Sequence, residues 1–128
     1  MDNKKITVLK VEPGKYPKVV EIEDRLEVLQ EIVGGGIGCT YPFKDDVALV
    51  LNDEGKLTGL PLNRAICDDD GLVYDAIAGT FLVVGLDEDS FASLTPELVE
   101  KYERIFHTPE VFGQAEDGTV FVLPMAEL

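Results

Sequence analysis

Apolar positions along this chain change period from one stretch to the next, and the changes mark its elements. The densest stretch is Ile77-Ala78-Gly79-Thr80-Phe81-Leu82-Val83-Val84-Gly85-Leu86. It does not alternate with polar residues and is rich in β-branched ones, so it reads as a strand covered on both faces and central in its sheet. Phe81 and Val83 are expected on one face, Leu82 and Val84 on the other, all buried. Val47-Ala48-Leu49-Val50-Leu51 is a second strand of the same kind.

The remaining stretches are placed around these two. Lys5 to Val11 and Pro17 to Ile22 alternate partly and flank Glu12-Pro13-Gly14-Lys15, which is turn chemistry; together they predict a hairpin. A helix follows, with Asp24 as N-cap, Glu27 as its capping-box partner, and Leu26, Leu29 and Val33 as an apolar stripe closed by Gly34. Ile37 to Tyr41 predicts a short strand stopped by Pro42. Asn52-Asp53-Glu54-Gly55-Lys56 predicts a turn with a return strand from Lys56 to Leu60. The segment from Gly59 to Ile66 has no period. Thr95-Pro96 opens a second helix, with Leu94 and Val99 as a staple and Leu98, Tyr102, Ile105 and Phe106 as its apolar face. Glu97 with Lys101 and Glu100 with Arg104 stand at pairing distance along it. Val111 to Ala115 and Thr119 to Leu123 flank Asp117-Gly118 as a final hairpin. The expected class is α+β: a mixed, largely antiparallel sheet with two helices, its ββα opening in the manner of a β-grasp. Residues 1–128 are expected to form one domain, with 110–128 as a hairpin extension.

Charge changes this picture most. The 128 residues carry a net charge of −14, unevenly spread. Residues 1–64 hold nine basic and eleven acidic side chains; residues 65–128 hold two basic and fourteen acidic. Such a surface repels nucleic acid and anionic lipid and suits a basic partner protein, or serves solubility alone. No segment approaches the run of about 20 apolar residues that spans a bilayer, and the N-terminus has no signal-peptide core. Cys39 and Cys67 form no CxxC pair and are expected as reduced core residues. The expected compartment is the cytoplasm.

Few residues announce chemistry. Gly34-Gly35-Gly36-Ile37-Gly38 misses the phosphate-loop spacing and follows a helix instead of leading into one. His107, the single histidine, sits at a helix C-terminus, where the dipole accounts for it. Cys39, Cys67 and His107 are too few and too scattered for zinc. Asp68-Asp69-Asp70-Gly71 places Val73 where a calcium loop needs its glycine. No cofactor, metal or catalytic residue is therefore assigned. One pair stands out. Asn63-Arg64 lies between apolar Leu62 and Ala65-Ile66, and an arginine there must snorkel or be paired. Either Arg64 bridges a carboxylate such as Asp45 or Asp75, or Asn63 and Arg64 face a ligand or partner near Tyr41, Phe43 and Thr80.

The succession Val11-Glu12-Pro13-Gly14-Lys15, Leu29-Gln30-Glu31-Ile32-Val33-Gly34-Gly35, Tyr41-Pro42-Phe43, Gly59-Leu60-Pro61-Leu62-Asn63-Arg64 and Ile77-Ala78-Gly79-Thr80-Phe81 resembles the bacterial and phage domain-of-unknown-function family 3846. The resemblance runs from about Ile6 to the second helix. Pro61-Leu62-Asn63-Arg64 is similar to the family's Pro-Pro-Asn-Arg, with Leu62 departing from it. It implies an association with mobile elements and phages and brings no activity with it. Three functions follow as expectations. The first is a non-enzymatic accessory domain with a protein partner. The second is an acidic DNA mimic that inhibits a DNA-binding host protein. The third is a small-molecule binder or enzyme using Asn63 and Arg64.

Overall fold

The computed structural model describes residues 4–68 and 70–125. Strands β1 (Lys5–Val11) and β2 (Lys18–Glu23) form the expected antiparallel hairpin, followed by helix α1 (Leu26–Val33). Next come β3 (Ile37–Thr40), β4 (Val47–Asn52), β5 (Leu62–Cys67), β6 (Val73–Ala78), β7 (Phe81–Leu86) and the two-residue β8 (Phe91–Ala92). Helix α2 (Pro96–Ile105) and the hairpin of β9 (Glu110–Gln114) and β10 (Val120–Pro124) complete the described chain. The main sheet has the order β2-β1-β7-β4-β3, with β8 on the end of β7. The class is α+β. Among the described residues every strand pairing is antiparallel, in keeping with the expected largely antiparallel sheet.

Strand β7 lies between β1 and β4, and its alternation builds two cores. Phe81 and Val83 join Leu9, Val11, Val47 and Leu49 on one face. That face is covered by α2, through Tyr102 and Phe106, and by the β5–β6 ribbon, through Ile66 and Ile77. Leu82 and Val84 join Ile6, Val8, Ala48 and Val50 on the other, under Leu29 of α1. All four β7 side chains are wholly buried, and burying each contributes roughly 1.5–3 kcal/mol. No helix among the described residues is long and apolar enough to cross a membrane.

Several expectations are corrected. The run Ile77–Leu86 is two strands, because Gly79 takes φ +80°, a conformation that breaks a ladder. The residues before it belong to the ribbon and those after it to the sheet. The return strand from Lys56 to Leu60 does not form: Thr58 N–H donates to Glu54 O and Leu60 N–H to Gly55 O, winding the segment into turns. Asn52 Oδ1 holds this winding by accepting from Glu54 N–H. The strand that follows β4 in the chain is instead β5, in the segment without period. Asp24 does not cap α1. Its N–H still donates to Lys4 O in the manner of a strand residue, and the cap position falls to Arg25, without a side-chain bond. Leu26 and Ile105 lie exposed at the margins of their helices. Cys39 and Cys67 are both exposed free thiols instead of core residues. The second helix starts as expected, with Thr95 Oγ1 accepting from Leu98 N–H and Pro96 in the first turn. Lys101 reaches across to Asp45.

Candidate functional site

Asn63 and Arg64, adjacent polar residues of β5, are both only 1% exposed. Consecutive strand residues point to opposite faces, so burying both takes cover on both faces or a break in the ladder. The β5–β6 register supplies one. Leu62 faces Ala78 and Arg64 faces Ile77, leaving Asn63 as the extra residue of a bulge. Asn63 Nδ2 donates to Val11 O and Gly79 O, both at 2.9 Å, and its Oδ1 accepts from Arg64 Nη1 at 2.8 Å. Arg64 Nε donates to Phe106 O at 3.0 Å and Nη2 to Lys15 O at 2.7 Å, while Nη1 also reaches Asn63 O. One cation thus ties the β1–β2 turn, the ribbon and the end of α2. Burial pulls its pKa below the ordinary arginine value and the nearby Glu110 carboxylate pulls it back.

The expected carboxylate bridge is not made. Asp45 accepts from Lys101 Nζ at 2.5 Å and from the Tyr102 hydroxyl at 2.7 Å. Those bonds hold the Asp45 carboxyl below its usual range. Burial, then the Asp45 bond, pushes the Tyr102 phenol up. Asp75 accepts from Lys56 Nζ at 2.5 Å, which lowers its pKa. Every hydrogen bond described for Arg64 goes to a carbonyl oxygen, with the Glu110 carboxylate acting on it only through space.

The five residues singled out from sequence do not share one opening. Phe43 packs in the aromatic cluster with Tyr102 and Phe106, ring centroids 4.8 and 6.1 Å away. Thr80 is half-buried beside the Gly79 turn. Tyr41 is exposed and lines a shallow concavity with Asp24, Phe91 and the loop Asp87-Glu88-Asp89. Asn63 and Arg64 lie beneath the surface. His107 stacks on Tyr16 at 4.8 Å. Among the described residues, no group of three or more His, Cys, Asp or Glu side chains is arranged to hold a metal ion.

A better-formed cleft, of about 340 Å³, lies elsewhere. It is lined by residues 38–40 of β3, residues 74–78 of β6 and the turn from Asp53 to Leu57. A cavity lined by consecutive residues of a strand runs along that strand's edge, because single faces offer only alternate residues. The cleft therefore separates two unpaired edges, β3 of the main sheet and β6 of the ribbon. Two large apolar side chains stand in solvent on its rim: Leu57 is 86% exposed and Tyr74 57%. Its charges are Asp53, Glu54 and Asp75 against Lys56. Cys39 also lines it. Partial desolvation raises the Cys39 thiol, with an opposing hydrogen bond from Tyr41, so its thiolate is scarcer than that of a free cysteine at neutral pH. Sequence reasoning missed this cleft. The one signal was Leu72-Val73-Tyr74, an apolar triplet between acidic residues.

No curated protein and no solved structure matches the chain. The model of the family described as Domain of unknown function (DUF3846) matches residues 6–107, which takes in β1 from Ile6 through α2 with the bulge, the cleft and every hydrogen-bond acceptor described for Arg64, and leaves out the β9–β10 hairpin. The chain belongs to that family.

Proposed function

We propose that this is a non-enzymatic accessory domain of a bacterial or phage mobile element, and that it docks a basic partner protein in the cytoplasm. Its docking face is the cleft between the β3 and β6 edges. The observation that carries the reading is the rim, where Leu57 and Tyr74 stand in solvent beside an excess of acidic groups. Large apolar side chains held out at the mouth of a cavity are the usual composition of a binding surface. The acid excess gives the partner its sign and speeds its arrival. Two exposed, unpaired thiols suit a reducing compartment. The mobile-element setting rests on the family resemblance.

The test is capture of a basic protein from host lysate by the immobilised chain, compared with Leu57→Asp and Tyr74→Asp. Both changes sit on exposed side chains and should leave the circular dichroism unchanged. Loss of capture by both supports the reading. Capture that survives both, but disappears on reversing the charges of Asp87, Glu88 and Asp89, would transfer the function to the acidic concavity and favour DNA mimicry.

A further inference from the structure

Two facing amides of the β5–β6 ribbon are occupied in an unusual way. Ala65 and Ala76 are direct partners across the ribbon, yet the N–H of each bonds a carboxylate instead of the other strand. They therefore form the non-hydrogen-bonded kind of pair, whose N–H groups point outward to the two edges. On the β5 edge the Ala65 N–H donates to Glu110 Oε1 at 2.8 Å, and β9 packs alongside, so this edge is covered. On the β6 edge the Ala76 N–H donates at 2.8 Å to Asp75 Oδ1, the side chain of its own neighbour. Among the described residues no strand other than β5 pairs with β6, and the edge opens into the cleft. Asp75 is itself held by Lys56 from the turn across the cleft. The outward amide is thus kept satisfied by a removable group. Tyr74, two residues before Ala76, has no ladder partner in the register and stands exposed beside it.

We propose that β6 is the receiving strand for an extended segment of the partner, which adds to this edge by main-chain hydrogen bonds. The proposal rests on the cleft reading above and specifies how the cleft is filled. A carbonyl of the segment takes over the Ala76 N–H, and the displaced Asp75 carboxylate turns to a basic side chain of the segment. Strand addition supplies affinity through the backbone, and alternate side chains supply selectivity. Here those selectors are an apolar position against Leu57 and Tyr74 and a Lys or Arg position against Asp53, Glu54 and Asp75. The carboxylate cap also explains how the free protein tolerates an open edge, since charged groups set on an edge deter pairing between copies. The occupant is accordingly a cationic, extended segment and not a second copy of this acidic chain.

The probe is a displayed library of random dodecapeptides, selected on the full chain, with each enriched peptide then measured against Tyr74→Asp. Enriched peptides should alternate apolar with Lys or Arg residues. The best is then synthesised with its backbone amides N-methylated at odd or at even positions. Strand addition engages one edge of the peptide, so one methylated series should lose affinity by about tenfold or more and the other stay within about twofold. In the amide spectrum of the protein, the Ala76 resonance should be among the largest shifts, and its exchange with solvent should slow. Equal sensitivity of both methylated series, or none, overturns strand addition while leaving the cleft as the docking face. Peptides that bind wild type and Tyr74→Asp alike overturn the cleft reading itself. Acidic peptides among the winners overturn the charge assignment.

Discussion

Replacing Arg64 by Ala is the sharpest test of how this domain is held together. The side chain is 1% exposed and donates to Phe106 O, Lys15 O, Asn63 O and Asn63 Oδ1. Hydrogen bonds from a charged group are each worth about 1.5–3 kcal/mol. Their sum overstates the loss, because deleting the cation also deletes the cost of having desolvated it. A net loss of about 3–5 kcal/mol is expected when one member of a buried charged network is removed and its acceptors are left dry. With a urea slope of about 1–3 kcal/mol/M, the unfolding midpoint should fall by about 1 M or more. Two companions separate the causes. Arg64→Met keeps the packing of the stem but leaves the four acceptors unsatisfied, so it should remain well below wild type. Arg64→Lys keeps the charge, yet one ammonium cannot reproduce the planar fork that spans Phe106 O and Lys15 O, and a loss of about 1–3 kcal/mol follows. The stacking of Tyr16 on His107 lies beside two of these acceptors and gives a local reporter through the His107 ring resonances. An Arg64→Ala midpoint within about 0.5 kcal/mol of wild type would refute the reasoning outright.

Two further predictions concern the cores. Val84 is wholly buried on the α1 side of β7, so Val84→Ala should cost about 1–3 kcal/mol by urea titration, and an unchanged midpoint would deny β7 its central place. The Tyr102 phenol is raised, first by burial and then by Asp45, so the folded state keeps this proton after the unfolded chain has lost it. Its contribution is therefore complete below about pH 10 and declines as the pH rises above that. Tyr102→Phe should flatten the alkaline loss of stability above about pH 10, and parallel pH profiles for the two proteins would count against the assignment.

How far the sequence could be read depended on whether each residue's placement was local. Thr95-Pro96 and Gly34 marked helix ends correctly, because a cap is decided within a turn of chain. The faces of β7 were legible because a doubly buried strand needs apolar residues at every position. The boundary before it was not, since Gly79 inside an apolar run looks like any other small residue until its φ is known. Strand β5 was hidden by its own bulge. Two consecutive polar residues, Asn63 and Arg64, both turn inward, and that erases the alternation by which a strand is recognised. The acceptors of Arg64 were unreadable for a different reason. They are main-chain carbonyls of Lys15 and Phe106, and every residue has one, so no side-chain pattern points to them. The cleft depends on where two edges meet, and pairing order is not written in either strand alone.

The tie made by Arg64 also sets an order of events during synthesis. The chain emerges from its N-terminus, so the Lys15 carbonyl and the guanidinium are present long before Phe106. Until residue 106 leaves the ribosome, Arg64 lacks its Nε acceptor, and the core face of the sheet lacks the Tyr102 and Phe106 side chains. The bond between the β5–β6 ribbon and the end of α2 is therefore made only after residue 106 has been synthesised. Of the two backbone acceptors that Arg64 reaches outside the ribbon, Lys15 is present early in synthesis and Phe106 late. A chain interrupted before residue 106 is left with an unclosed core, whatever the quality of its first hundred residues.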